Sequence, residues 1–179
     1  MSEFEPLGGE SKWQGRMISV GVERFRHADG REVTREKVWH PGAVAILALD
    51  DAHVWLTRQP REVVGETASL EIPAGKLDVP GEQRLDCAKR ELAEEIGKQA
   101  ARWEEVKAFY TSAGFSDERI WLFLATELSD AGPARGPDES ERIEIVPWPL
   151  ARLDDAIARC DDAKSLIALL WLALHRAGG

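Results

Sequence analysis

Between positions 82 and 97 the chain reads EQRLDCAKRELAEEIG. Leu85, Ala88, Leu92 and Ile96 recur at steps of three and four, which predicts a helix from about Gln83 to Ile96 with one apolar stripe. Gly97 follows the last periodic residue, where a helix is expected to end. Within that helix Glu91, Glu94 and Glu95 lie three and four residues apart and share a face. Like charges at this spacing cost an isolated helix roughly a few tenths of a kcal/mol per pair, so something must offset them. A divalent cation would do so, and a clustered carboxylate face suits magnesium or manganese better than zinc.

Upstream, residues 71–82 read EIPAGKLDVPGE: a strand end, glycines and a further carboxylate, all leading into the helix. Such a loop can present backbone groups to phosphate oxygens or a metal. Earlier still, strands are expected at Arg16 to Phe25 and Glu32 to Trp39, joined as a hairpin through the Asp29-Gly30 turn. Further extended runs follow at Ala43 to Leu49, Val54 to Arg58 and Ala68 to Ile72. Beyond the helix come Trp103 to Tyr110, Arg119 to Glu127, a polar loop from Ser129 to Glu141, and Ile143 to Val146. Leu150 to Cys160 and Ala163 to Arg176 read as two closing helices. Strands with one central helix and helices at the end predict an α+β, layered domain.

The 179 residues suffice for one domain with a short extra element, and 44% hydrophobic content is enough for a packed core without disulfides. Twenty-three basic against 32 acidic residues leave a net charge of −9, the wrong sign for a protein held to a nucleic-acid backbone. Cys87 and Cys160 are too few for a disulfide framework and lack metal-ligand spacing, which suits a reducing compartment. The start, Met1 to Gly9, lacks the pattern of a secretory leader, and the apolar run Leu166 to Leu174 is about half of what a bilayer crossing needs. The expectation is a cytoplasmic protein without membrane or nucleic-acid partners.

The box around the central helix resembles that of the Nudix hydrolases. Glu82, seven intervening residues, then Arg90, Glu91, Leu92, Glu94, Glu95 and Gly97 match the family pattern in place. Two positions depart from it. Six residues separate Gly75 from Glu82 where five are usual, implying a one-residue insertion around Val79, and Lys98 stands at a usually aliphatic position. His40-Pro41-Gly42-Ala43-Val44, Arg58-Gln59-Pro60-Arg61, Leu70 to Gly75 and Ser112 to Glu118 look like the subgroup that hydrolyses ADP-ribose and related nucleoside diphosphate sugars, with Ala113 in place of a usual proline.

The resemblance implies a Nudix-type α/β/α sandwich with a mixed sheet over residues 41–179, preceded by a tail and β-hairpin at 1–40 that related enzymes exchange between subunits of a homodimer. It implies metal ligation by Glu91, Glu95, Glu94 and the Ala74 carbonyl, with two or more Mg2+ ions per site or Mn2+ instead, and Arg90 orienting the glutamates. Two ions about 4 Å apart can hold both the attacking and the leaving oxygen of a pyrophosphate. In the subgroup a glutamate from the loop before the last strand acts as base, here Glu139 or Glu141. Arg58 and Arg61 would hold the diphosphate, Glu71 and Glu118 would contact nucleotide or ribose hydroxyls, and Trp39 is the candidate for adenine stacking. Most other tryptophans, Trp55, Trp103, Trp121 and Trp171, read as core, His40 as a turn residue and Cys87 as a packed thiol. The implied reaction takes ADP-ribose to AMP and ribose 5-phosphate. Hydrolysis of another nucleoside diphosphate sugar such as GDP-mannose, or ADP-ribose sensing without cleavage, are the alternatives.

Overall fold

The computed structural model describes residues 3–132 and 142–177 and divides into two compact units. The first consists of Met1–Gly42 with Phe109–Arg119, the second of Ala43–Ala108 with Ile120–Gly179.

In the first unit, β1 (Phe4–Gln14), β2 (Ser19–His27) and β3 (Glu32–Trp39) form an antiparallel sheet in that order. The expected hairpin is β2–β3, turned at Gly30, whose φ of 83° is open to glycine and whose N–H donates to the His27 carbonyl (2.8 Å). Ahead of the hairpin, the expected tail forms strand β1. Its Pro6, Gly8 and Gly9 hide the alternation of a strand; one register shift against β2 falls between Pro6 and Gly8 and a second between Ser11 and Trp13. Phe4 packs edge-on against Phe25 at 5.5 Å. The segment 109–119 lies along β3 through hydrogen bonds from Val38 N–H to the Phe115 carbonyl and from Asp117 N–H to the Val38 carbonyl. His40 is indeed a turn residue, its Nδ1 accepting the Gly42 N–H (3.0 Å).

The second unit is built on a seven-stranded mixed sheet. It contains β4 (Ala43–Leu49), β5 (His53–Arg61), β6 (Glu66–Glu71), β7 (Ala74–Lys76), β8 (Lys98–Tyr110), β9 (Arg119–Asp130) and β10 (Glu144–Pro149). The spatial order is β10-β5-β4-β9-β8, with β6 beside β5 and β7 beside β4. β4 runs parallel to β9 and antiparallel to β5 and β7. Among the described residues three α-helices accompany the sheet: α1 (Arg84–Ile96), α2 (Leu153–Arg159) and α3 (Ala163–Ala177). Strand β9 continues through Asp130, so Ser129 belongs to the sheet and not to the loop predicted from that residue onward.

β4 is buried on both faces, which its unbroken apolar run requires. Val44, Ile46 and Ala48 meet Cys87, Ala88, Leu92 and Ile96 of α1, joined by Phe123 and Ala125 of β9. Ala45 and Leu47 point the other way, and α3, whose Ser165, Ala168, Leu169 and Leu172 are buried, packs against β4 and β6. These are the layers of an α/β/α sandwich. Trp55, Trp103 and Trp121 pack at the edge of the core beside α1, the first two donating their indole N–H to Asp50 and to the Ala100 carbonyl. Trp171 is half-buried and stacks on His175 at 3.8 Å. Among the described residues no helix is long and apolar enough to cross a membrane.

Leu92 is fully enclosed between α1 and the sheet. Leu92→Ala should cost about 3 kcal/mol of stability, read as a lower urea midpoint at unchanged slope. A loss under about 1 kcal/mol would contradict this packing.

Candidate active site

The buried stripe of α1 places the acidic face. Glu95 lies seven residues beyond Ala88 and three beyond Leu92, so the turn that buries those side chains also buries most of Glu95. Its Oε2 accepts the Ala74 N–H at 3.1 Å, tying the helix to the start of β7. One turn earlier, Glu91 lies against Gly75, where a Cβ would overlap its carboxylate. A side chain at position 75 would have to push the Glu91 carboxylate aside.

Arg90 gathers the remaining carboxylates. Its Nε and Nη2 reach both oxygens of Glu82 (2.9 and 3.0 Å), and Nη1 reaches Glu91 (2.7 Å) and Glu94 (3.0 Å). The hydrogen bond from Arg90 holds the Glu82 carboxyl below its usual range. In turn the Glu82 hydrogen bond raises the guanidinium above its ordinary value. One positive charge of the chain thus offsets part of the repulsion among three carboxylates, which leaves the face net negative. Among the described residues, no group of three or more His, Cys, Asp or Glu side chains is placed to hold a metal ion. The donors themselves fit a hard divalent ion: carboxylates on one helix face, opposite the Ala74 peptide and seated in the space that Gly75 leaves. The insertion around Val79 is absorbed in a turn, with Pro80 leading, Gly81 at φ 82° and Glu82 N–H donating to the Val79 carbonyl (3.2 Å). Glu82 therefore still reaches Arg90. Burial pushes the Cys87 thiol up to about 12 despite the nearby Arg90, so it is a packed, unreactive group as expected.

Arg58 and Arg61 take different partners. Arg58 pairs with Glu144, which it faces directly across β5 and β10 (2.7 Å). Arg61 forks onto both oxygens of Glu71, each at 2.7 Å, and lies within the field of Glu95. Glu71 is 2% exposed and also accepts Lys164 Nζ at 2.5 Å. Both of its oxygens accept hydrogen bonds from the chain's own cations. Sequence reading missed Lys164, although Asp162 and Ser165 around it carry a helix-start signal. Asp162 caps α3 by accepting the Ser165 N–H (3.0 Å), and Ser165 Oγ accepts the Ile72 N–H (2.9 Å).

Glu118 and Trp39 belong to the first unit. Glu118 accepts the Thr111 hydroxyl (2.6 Å), and Trp39 covers Gly21 with the Lys37 ammonium 5.2 Å from its ring. Glu139 and Glu141 lie outside the described residues.

Burial alone would raise the Glu71 carboxyl, but the Arg61 hydrogen bonds and the Lys164 charge outweigh it and hold it at about 2. The unfolded chain takes up this proton near the ordinary carboxylate value, while the folded chain resists it until about 2. Stability from this group is therefore complete above roughly pH 5 and lost as pH falls from there towards 2, on the order of 3 kcal/mol in all. Chemical unfolding between pH 6 and 3 should show a steeper decline in the parent than in Glu71→Gln. Parallel declines would remove Glu71 from the account.

A family model, the NUDIX domain, matches residues 39–168. An ADP-ribose pyrophosphatase of Bacillus subtilis is 38% identical, over 98% of this chain and 95% of its own. A methanol dehydrogenase activator of Bacillus methanolicus is 36% identical over the same shares. The crystal structure of an ADP compounds hydrolase superimposes with a TM-score of 0.83 at 25% identity, covering 98% of this chain and 95% of that one. With Glu82, Glu91 and Glu94 of its box gathered on the Arg90 guanidinium and Glu95 on the Ala74 peptide, the chain belongs to the Nudix hydrolase family.

Proposed function

We propose that this protein hydrolyses the pyrophosphate bond of ADP-ribose to AMP and ribose 5-phosphate, with Mg2+ as cofactor and Mn2+ as a substitute. The observation that carries the reading is the convergence of Glu82, Glu91 and Glu94 on Arg90, with Glu95 on the same helix acting on Arg61. Relatives named for ADP-ribose hydrolysis over nearly the full length support the substrate.

Glu91, Glu95, Glu94 and the Ala74 carbonyl would hold two or more ions. Bound there, the cations supply charge neutralisation at the diphosphate and a water acidic enough to ionise near neutral pH. Arg90 keeps the glutamates from repelling one another and holds Glu82, Glu91 and Glu94 in fixed rotamers. Arg61, presented by β5, binds the diphosphate oxygens through the part of its fork that Glu71 leaves over. Glu139 or Glu141 takes the proton of the attacking water.

The first unit is proposed to join two copies of the chain in a homodimer. Phe4, Tyr110 and Phe115, all largely exposed, line a groove there with Phe25 and Val33 and present an apolar face for a second copy. Two free, buried thiols and the acidic composition support the cytoplasm as its place of work.

Product analysis across ADP-ribose, other nucleotide sugars and dinucleoside polyphosphates, with each metal in turn, tests substrate and cofactor together. AMP and ribose 5-phosphate from ADP-ribose are expected to dominate, and preferential release from GDP-mannose would favour the alternative substrate. Glu94→Gln and Glu95→Gln should each lower turnover by about a hundredfold or more while the fold is kept. Gly75→Ala, which displaces Glu91, should raise the metal concentration needed for half-maximal activity. Sedimentation of the full chain should give a particle of two 19.9 kDa protomers.

A further inference from the structure

The strand end that leads into β7 is tied at four successive residues. Glu71 takes Arg61 and Lys164, Ile72 N–H donates to Ser165 Oγ, the Pro73 carbonyl accepts the Ile46 N–H (2.8 Å), and Ala74 N–H donates to Glu95. Two of these ties come from the first turn of α3, an element remote in sequence from the family box. Lys164 Nζ bridges Glu71 and Asp162 (2.9 Å), and Asp162 also accepts the Ser165 hydroxyl at 2.5 Å. The Lys164 side chain is 11% exposed, far less than the 45% of Arg61, so it serves the interior of the cluster while the guanidinium stays open to a ligand.

An arginine fork on one carboxylate can swing with it about the last bonds of the glutamate side chain. A third donor from another element removes that freedom. With Arg61 Nε on Oε1, and Arg61 Nη2 and Lys164 Nζ together on Oε2, the Glu71 carboxylate plane is defined from two sides, and the plane of the Arg61 guanidinium with it.

We propose that Lys164 is a positioning residue: through Glu71 it holds the Arg61 guanidinium in the orientation that receives the substrate diphosphate, a role that rests on the hydrolase reading above. Its contribution falls mainly on substrate binding, because Lys164 touches neither the glutamates on α1 nor the Ala74 peptide in any contact described above. A residue serving stability alone would leave the affinity of the folded enzyme unchanged.

Two readouts on the full chain separate these roles. The Arg61 Nε–H resonance, assigned by its loss in Arg61→Lys, should exchange slowly with water in the parent and become fast-exchanging in Lys164→Met. In the same variant the KM for ADP-ribose should rise about tenfold, with the smaller part of the loss in kcat, and Lys164→Arg should restore both. Should Lys164→Met fail to fold, Lys164→Gln, which is uncharged and one atom too short to keep the contact with Glu71, serves in its place. An Arg61 signal that stays protected in the variant, or a KM that does not move when protection is lost, overturns the proposal. A parent that does not hydrolyse ADP-ribose would instead overturn the substrate reading and leave the resonance test standing.

Discussion

One guanidinium holds the negatively charged groups of this site together. Arg90 sits among Glu82, Glu91 and Glu94, three carboxylates that would otherwise repel one another on and beside a single helix. Its hydrogen bonds to both oxygens of Glu82 leave one edge of the fork for the two helix glutamates. The helix can therefore present a dense acidic face without unwinding. That charge balance depends on α1 being held in one rotation, which the burial of Ala88, Leu92 and Ile96 against β4 and β9 provides. Packing sets the angle of the helix, and the angle sets which carboxylates meet Arg90 and which meets Ala74.

A second balance lies three residues before Ala74, at the end of β6. Glu71 is a carboxylate almost wholly withdrawn from water, which is tolerable only because two cations hold it. Arg61 and Lys164 reach it from β5 and α3, so three elements are pinned at one point. From there to Ala74 every residue has a partner on a neighbouring element. The peptide opposite Glu95 is therefore placed by the whole sheet, and not by its own short strand.

Much of this was legible in the chain. The steps of three and four from Leu85 to Ile96 located α1 within one residue of its observed start, and the spacing of Glu82, Arg90, Glu91, Glu94 and Glu95 identified the family. The apolar run Ala43 to Leu49 was a buried strand as read. β1 was not legible, because Pro6, Gly8 and Gly9 are poor strand formers and only pairing with β2 makes them extended. Arg58 and Arg61 looked equivalent as two cations near a strand end. One of them pairs with β10 and the other with a buried glutamate, and nothing local distinguishes them.

The sequence by itself determined the local chemistry: which residues are charged, which share a helix face, and where glycine permits a turn or a close approach. Those properties depend on covalent spacing and helical period, and so they can be read from neighbours in the chain. The tertiary structure decided the partners of each charge. Lys164 meets Glu71 across 93 positions and Arg58 meets Glu144 across 86, distances over which no periodicity runs and only the packing of strands and helices brings groups together.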